Sequence, residues 1–172
     1  MYVDMGMDET ATSEIIFQLT DQLQNRYWEI LVTQLGCTDD SLAPRQCLQY
    51  FTGISGTLAS FNWFNLEAPY HLANQEYSIC IRQEMGFCSI TYSAVEDNEQ
   101  NSKGWELDKT RICTEVENLC RGENFCQDDY VVIPQGKSLK NSPISFDRFC
   151  GVALNDNLSP GASNVPISSK FF

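Results

Sequence analysis

The cysteine content restricts the fold of this chain more than any other feature of its sequence. Eight cysteines occur in 172 residues, with a single histidine, His71. No two are spaced as C-x-x-C, and one histidine excludes a zinc site of two cysteines and two histidines. An even number of cysteines without metal spacing predicts a disulfide-stabilised domain in an oxidising, extracellular compartment. The eight are Cys37, Cys47, Cys80, Cys88, Cys113, Cys120, Cys126 and Cys150.

The charge of the chain argues against two classes of partner. Aspartate and glutamate number 23 and lysine and arginine 11, which leaves a net charge of −12. Nucleic acids and anionic lipid surfaces require basic patches, so neither is an expected partner. No apolar run approaches the roughly 18 residues of a membrane helix, so we expect no membrane span. The first residues lack the basic and apolar regions of a signal peptide, and we expect a mature product or a piece of a longer secreted chain.

The hydrophobic pattern is that of short strands. Apolar and polar residues alternate over brief runs bounded by glycine, proline and asparagine, which predicts an all-β fold built as an antiparallel β-sandwich. Glu84-Met85-Gly86 separates two such runs and predicts a hairpin. Residues 96–124 form a long polar insertion, with a helical turn expected near 109–119. The predicted strands include residues 12–20, 28–33, 77–82, 87–93 and 130–133.

Two motifs near the end of the chain resemble a known family. Residues 126–136, CQDDYVVIPQG, followed by residues 146–151, FDRFCG, resemble the second half of a CUB domain. Residues 56–62 resemble its opening strand and residues 77–82 the strand of its second cysteine. The sequences of residues 47–53, CLQYFTG, and 71–75, HLANQ, resemble those of an arthropod-type branch of CUB-containing secreted proteins.

The resemblance implies a jelly-roll β-sandwich with a binding role outside the cell. We expect a CUB-like domain over residues 37–172 that stops before its last strands are complete. Residues 1–36 then supply strands of a β-sandwich, either as the end of a preceding module or as part of the same one. Eight cysteines, where the common domain has four, and the polar insertion are departures from the family pattern.

The pairing of the cysteines has a local solution and one main competitor. The resemblance implies a Cys126–Cys150 bond. Cys80 and Cys88 lie symmetrically about Glu84, so a regular hairpin would place them within disulfide reach. The turn-rich loop between Cys37 and Cys47 favours a third bond, which leaves Cys113 with Cys120. A family-like Cys47–Cys80 bond competes with this pattern.

Calcium is the cofactor that the sequence indicates most specifically. Many CUB domains bind Ca²⁺ through a glutamate that ends one strand and an aspartate just after the third cysteine. By resemblance, Asp129 takes the second position and Glu96 or Asp97 the first. Asp4 or Asp8 could complete the site. Calcium requires six or more oxygen ligands, so surface acids without calcium remain the alternative.

No catalytic pattern is present in the sequence. Residues 53–56, GISG, lack the G-x-S-x-G spacing of a nucleophile elbow, and His71 is the only histidine available to a triad. Adjacent carboxylates such as Asp128 and Asp129 point to opposite faces of a strand. We therefore predict a protein that is not an enzyme.

Three binding roles follow, from different classes. The first is an interaction module for an extracellular protein or for self-association. The second is a lectin-like, carbohydrate-binding module that uses Trp63, Phe64 and Tyr70. The third is a structural unit of an extracellular polymer. Asn157 begins the only glycosylation sequon, where Pro160 disfavours occupancy.

Overall fold

The computed structural model has six strands and, in the part of the chain that it describes, no helix. The strands are β1 (Cys47–Phe51), β2 (Ser78–Ile81), β3 (Ser89–Tyr92), β4 (Val131–Ser138), β5 (Phe146–Phe149) and β6 (Ile167–Lys170). The structure describes residues 1–6, 8, 10–17, 27–61, 63, 72–95, 104–108, 120–138, 144–154 and 166–170.

The chain divides into two compact units. The first comprises Met1–Phe64 and Leu72–Arg82, and the second Asn65–His71 and Gln83–Phe172. The predicted all-β fold class is confirmed, since strands are the only regular elements in the described ranges.

A parallel strand pair organises the first unit. In β1 and β2, Tyr50 pairs with Cys80 and Phe51 with Ile81, and the register shifts between Cys47 and Gln49. The backbone N–H of Arg82 donates to the carbonyl of Phe51 at 2.9 Å and extends the pair. Parallel neighbours need a long connection, and here residues 52–77 provide it.

The first residues of the chain contact β1. The N–H of Tyr2 donates to the carbonyl of Leu48 at 2.8 Å, and the Tyr2 and Tyr50 rings meet edge to face at 6.2 Å. The Asp4 carboxylate accepts the N–H of Gln46 at 3.0 Å, where Gln46 has a positive φ of 68°. These bonds hold the turn that precedes β1.

The second unit contains a four-stranded antiparallel sheet in the order β3-β6-β4-β5. Strand β6 lies between β3 and β4. Its Ser168 is paired with Thr91 of β3 on one side and with Lys137 of β4 on the other. Between β4 and β5 the register shifts from Val132–Arg148 to Gly136–Phe146. At this bulge Gln135 has a φ of 50°, and its N–H donates to the Asp147 carboxylate at 2.7 Å.

The core of the second unit combines residues of β4, β5 and β6 with Leu154. Ile133, Phe149, Leu154 and Ile167 form a buried cluster. The side chains of Tyr92, Trp105 and Phe146 pack against it. Burial raises the pKa of the Tyr92 hydroxyl, because the ionised phenolate would lose hydration there.

The predicted hairpin between residues 77–82 and 87–93 is wrong in its pairing. The turn itself is present: the N–H of Phe87 donates to the carbonyl of Glu84 at 3.1 Å, and Gly86 has a φ of 88°. However, β2 pairs with β1 and β3 pairs with β6.

The alternating runs before β1 are not strands in the described residues. Residues 12–17 and 27–36 form no strand, and residues 18–20 lie outside the described residues. Large apolar side chains in these runs, such as Tyr27 and Leu31, are exposed. The expected helical turn near 109–119 also falls outside the described residues.

Candidate functional site

A disulfide joins the loop before β4 to the end of β5. Cys126 and Cys150 are bonded, with their Cα atoms 5.6 Å apart, and both side chains are 0% exposed. The N–H of Cys150 donates to the carbonyl of Cys120 at 2.9 Å, and the N–H of Gly122 donates to the carbonyl of Arg148 at 2.8 Å. The segment from Cys120 to Cys126 is therefore held along β5, and the Cys126–Cys150 bond implied by the resemblance is present.

Two arginines stack on aromatic rings in the same part of the second unit. The Arg148 guanidinium lies 4.3 Å from the centre of the Tyr130 ring, and its Nη1 donates to the carbonyl of Cys126 at 3.4 Å. The Arg121 guanidinium lies 4.7 Å from the centre of the Phe146 ring. Such cation–π contacts fix the planes of the rings and guanidinium groups.

Around Tyr130 the structure presents a mixed acidic and aromatic surface. Asp128, Asp129 and Tyr130 are exposed in the loop after Cys126. Val132, which pairs with Arg148, is 55% exposed. We call this group, Asp128, Asp129, Tyr130, Val132 and Arg148, the Asp129 surface. Its loop begins at a buried disulfide and ends in β4, so its position is well supported by the sheet.

The predicted calcium ligands are divided between described and undescribed parts of the chain. Asp129 is exposed in its loop, whereas Glu96 and Asp97 lie outside the described residues. The Asp8 carboxylate accepts the N–H of Thr10 at 3.0 Å, and this backbone bond lowers the Asp8 pKa. Asp4 accepts the N–H of Gln46. Within the described ranges, no three histidine, cysteine, aspartate or glutamate side chains are grouped as a metal site.

Of the three predicted binding aromatics, the structure describes one. Trp63 is half-buried, and Phe64 and Tyr70 lie outside the described residues, as does the sequon asparagine Asn157. Near Trp63, the rings of Phe61 and Tyr77 meet at 5.0 Å in a tilted arrangement.

An aromatic pair that sequence reasoning missed lies before β1. The rings of Phe17 and Trp28 stack at 4.5 Å with an interplanar angle of 11°, and both side chains are exposed. The signal in the sequence was the alternation of both runs, which predicted strands rather than an exposed pair.

The Cys47–Cys80 disulfide of the first unit corrects the local pairing scheme. Cys47 is bonded to Cys80, with their Cα atoms 5.6 Å apart, while Cys37 and Cys88 are free thiols. The predicted Cys37–Cys47 and Cys80–Cys88 bonds are therefore wrong, and the competing Cys47–Cys80 bond is present. The reason is the parallel β1–β2 pair, which brings Cys80 within disulfide reach of Cys47 instead of placing it across a hairpin from Cys88.

Cys120 of the second unit is also bonded. Its predicted partner, Cys113, lies outside the described residues.

In the described residues, no helix has the length and apolar character to cross a membrane.

Comparison with known proteins identifies the family. No curated protein and no solved structure matches the chain. The family model of the animal CUB domain matches residues 44–171, a range that contains all six strands and both described disulfides. The chain belongs to the animal CUB domain family, whose members are generic extracellular protein-interaction modules.

Proposed function

We propose that this domain is an extracellular, non-catalytic module that binds a protein partner through the Asp129 surface. Membership of the animal CUB domain family is the observation that carries the proposal. The surface itself supports it: an exposed tyrosine and valine lie beside exposed carboxylates. Aromatic and arginine side chains with an acidic border are the kind of group that protein interfaces use.

Site-specific crosslinking tests the surface. A photoreactive amino acid at Val132, which is 55% exposed, lies on the proposed interface, and one at Ile54 of the first unit, which is 75% exposed, serves as the control. We expect ultraviolet light to join the Val132 form to a discrete partner from the extracellular proteins of the source tissue, while the Ile54 form stays uncoupled. Equal coupling from both positions would contradict the proposal.

Calcium support is the finer part of this proposal. Asp129 is an exposed member of the Asp129 surface, and by resemblance it takes the position of a calcium ligand in the family. Calcium binding there would neutralise acidic charge in a chain of net charge −12 and order the loop for contact.

Removal of one carboxylate separates a calcium site from surface acids. Titration of calcium chloride into the metal-free protein is expected to give saturable heat, and Asp129→Asn is expected to weaken binding at least tenfold. Asp40→Asn, an exposed aspartate in the first unit, is the control and should leave binding unchanged. No saturable heat in the unsubstituted protein would exclude calcium, and the crosslinking result would stand without it.

A carbohydrate-binding module is the second candidate, and the exposed Phe17–Trp28 stack favours it. Flat aromatic faces pack on sugar rings. If soluble glycans added before irradiation prevented the Val132 crosslink, and Trp28→Ala abolished that effect, the lectin-like function would replace the protein-binding one.

The third candidate function is that of a structural unit of an extracellular polymer. The exposed apolar run from Tyr27 to Val32 could pair with a strand of another copy. Sedimentation that shows concentration-dependent polymers without any added partner would support it.

A further inference from the structure

Three strands of the second unit are charged differently from the rest of the chain. Strands β3, β4 and β6 contain two lysines, Lys137 and Lys170, and no aspartate or glutamate. In the whole chain, by contrast, acidic residues outnumber basic ones by 23 to 11. Neither lysine forms an ion pair within the part of the chain that the structure describes. An acidic protein therefore carries a locally positive region on this sheet.

The burial pattern of the strands places both lysines on the face of the sheet away from the core. In β6, Ile167 and Ser169 are buried, whereas Lys170 is exposed. In β4, Ser138 is buried and Lys137 is exposed. Successive side chains of a strand point to opposite faces, so the two lysines share the outer face.

The strand register brings these lysines together with three hydroxyl groups. Lys137 of β4 is paired with Ser168 of β6, and Ser168 is paired with Thr91 of β3. Two residues further along β6, Lys170 is paired with Ser89 of β3. Lys137 and Lys170 are thus diagonal neighbours on adjacent strands, with their Cα atoms about 7–8 Å apart. We call these five residues, the two lysines with Ser89, Thr91 and Ser168, the lysine face.

The backbone beneath the lysine face is fixed by the sheet. Strand β6 is paired on both sides, with β3 and with β4. The Ser169 hydroxyl donates to the carbonyl of Pro134 and links β6 to β4 next to Lys170. A ligand would therefore have to order only side chains, which limits the entropic cost of binding.

The composition of the lysine face favours a polar, anionic ligand over a protein. It presents ammonium and hydroxyl groups and no aromatic or aliphatic side chain, and Ser89 and Thr91 are exposed. The core of a protein–protein interface is apolar and aromatic, and such interfaces are depleted in lysine and serine. Ammonium groups donate to sulfate and carboxylate oxygens, and hydroxyl groups bond to the hydroxyl groups of a sugar.

We propose that the lysine face binds a sulfated polysaccharide chain, with Lys137 and Lys170 at sulfate groups and the three hydroxyl groups at the sugar. The net charge of −12 repels such a chain at a distance. However, salt screens charges beyond about 8 Å at 0.15 M, so the lysines act there as the nearest charges. The inference goes beyond the proposed function and uses no residue of the Asp129 surface.

Binding of the whole chain to immobilised heparin, a sulfated polysaccharide, tests the proposal. At 0.15 M sodium chloride we expect the protein to bind heparin and not to bind desulfated heparin. Higher salt should release it, because contacts between lysines and a polyanion displace bound counterions. Absence of binding to heparin at 0.15 M, or equal binding to the desulfated form, would overturn the proposal.

Charge-matched variants locate the site. Lys137→Gln and Lys170→Gln should each weaken heparin binding by about twofold to fivefold, the range for one exposed charge pair. Arg45→Gln removes an equal charge at an exposed position of the first unit and should leave binding unchanged. Lys137→Arg and Lys170→Arg keep the charge and should retain binding. Equal weakening by Arg45→Gln and the lysine variants would overturn the proposal, because net charge alone would then explain it.

The double substitution Lys137→Gln/Lys170→Gln separates this inference from the proposed function. It should weaken heparin binding by roughly tenfold, keep the urea midpoint of the unsubstituted protein and still crosslink a partner through Val132. Heparin binding that the double substitution leaves unchanged would overturn this inference alone. Heparin binding that depends on both lysines, in a protein that fails to crosslink, would overturn the proposed function alone.

Discussion

At the scale of single residues, Gly136 shows how tightly the second unit is packed. A Cβ at this position would lie 2.8 Å from Phe149 Cε2 and 2.9 Å from Ile167 Cγ2, and both of those side chains are fully buried. Gly136→Ala should therefore lower the free energy of unfolding by about 1–3 kcal/mol through overpacking. Gly56→Ala, where nothing lies within 4 Å of the added Cβ, is the matched control in urea denaturation. Equal stability of the two variants would contradict this packing argument.

Asp39 gives a prediction of pH dependence at the same scale. The Ser41 hydroxyl donates to the Asp39 carboxylate at 2.6 Å and the Ser41 N–H at 2.9 Å, which together lower the Asp39 pKa below 3.8. Since the folded pKa is the lower one, the stabilising contribution is present above the unfolded pKa. It is lost as the pH falls through the folded value.

Ser41→Ala removes the hydroxyl, the first cause of the lowered pKa. A ¹³C NMR titration of the carboxyl group is expected to show the Asp39 pKa rising toward its ordinary value in this variant. An unchanged titration would show that the backbone N–H alone accounts for the lowered pKa.

At the scale of elements, β6 connects the sheet of the second unit. It lies between β3 and β4, and Ser168 is paired with Thr91 on one side and Lys137 on the other. Ser168→Pro removes a backbone N–H in a central strand, where proline is not tolerated. We expect Ser168→Pro to lower the free energy of unfolding by about 1–3 kcal/mol, which is the cost of an unmade buried hydrogen bond.

Ser168→Ala keeps the backbone N–H and is the control at the same position. It should unfold close to the unsubstituted protein in thermal and urea transitions. Hydrogen exchange at Ile90 and Thr91 should accelerate in Ser168→Pro alone. If the proline variant kept its exchange protection, β6 would not be the connecting strand of the sheet.

At the scale of the whole molecule, net charge sets the response to salt. A charge of −12 on 172 residues produces self-repulsion, which salt screens with a Debye length of about 8 Å at 0.15 M. The unfolding midpoint should therefore rise as sodium chloride increases from low concentration to 0.15 M. A midpoint that falls over this range would mean that attractive ion pairs outweigh the repulsion.

Much of the fold could be predicted from particular residues. The alternation at residues 87–93 and 130–133 correctly predicted strand β3 and the start of β4. The motif from Cys126 to Gly151 led to the family, and it implied the disulfide that the structure has. These features are local, because a strand and a motif are readable within about ten residues of sequence.

The pairing of strands could not be predicted in the same way. Residues 77–82 and 87–93 were expected to face each other, but β2 pairs with β1 and β3 with β6. Because this hairpin was wrong, the Cys80–Cys88 bond predicted from it was also wrong, and Cys80 is bonded to Cys47. A hairpin is the pairing with the lowest loop-closure cost, and that local cost is readable from the sequence, whereas the contacts with distant strands are not.

The sequence by itself determined the fold class and the family, because period-two alternation and the motif around Cys126 and Cys150 are properties of the chain without its conformation. The tertiary structure decided that Cys80 is bonded to Cys47, which strands are neighbours and which aromatic rings are exposed. These outcomes depend on distances between residues that are far apart in the chain. Such distances are set by packing of the whole unit, as the approach of Phe149 and Ile167 to Gly136 illustrates.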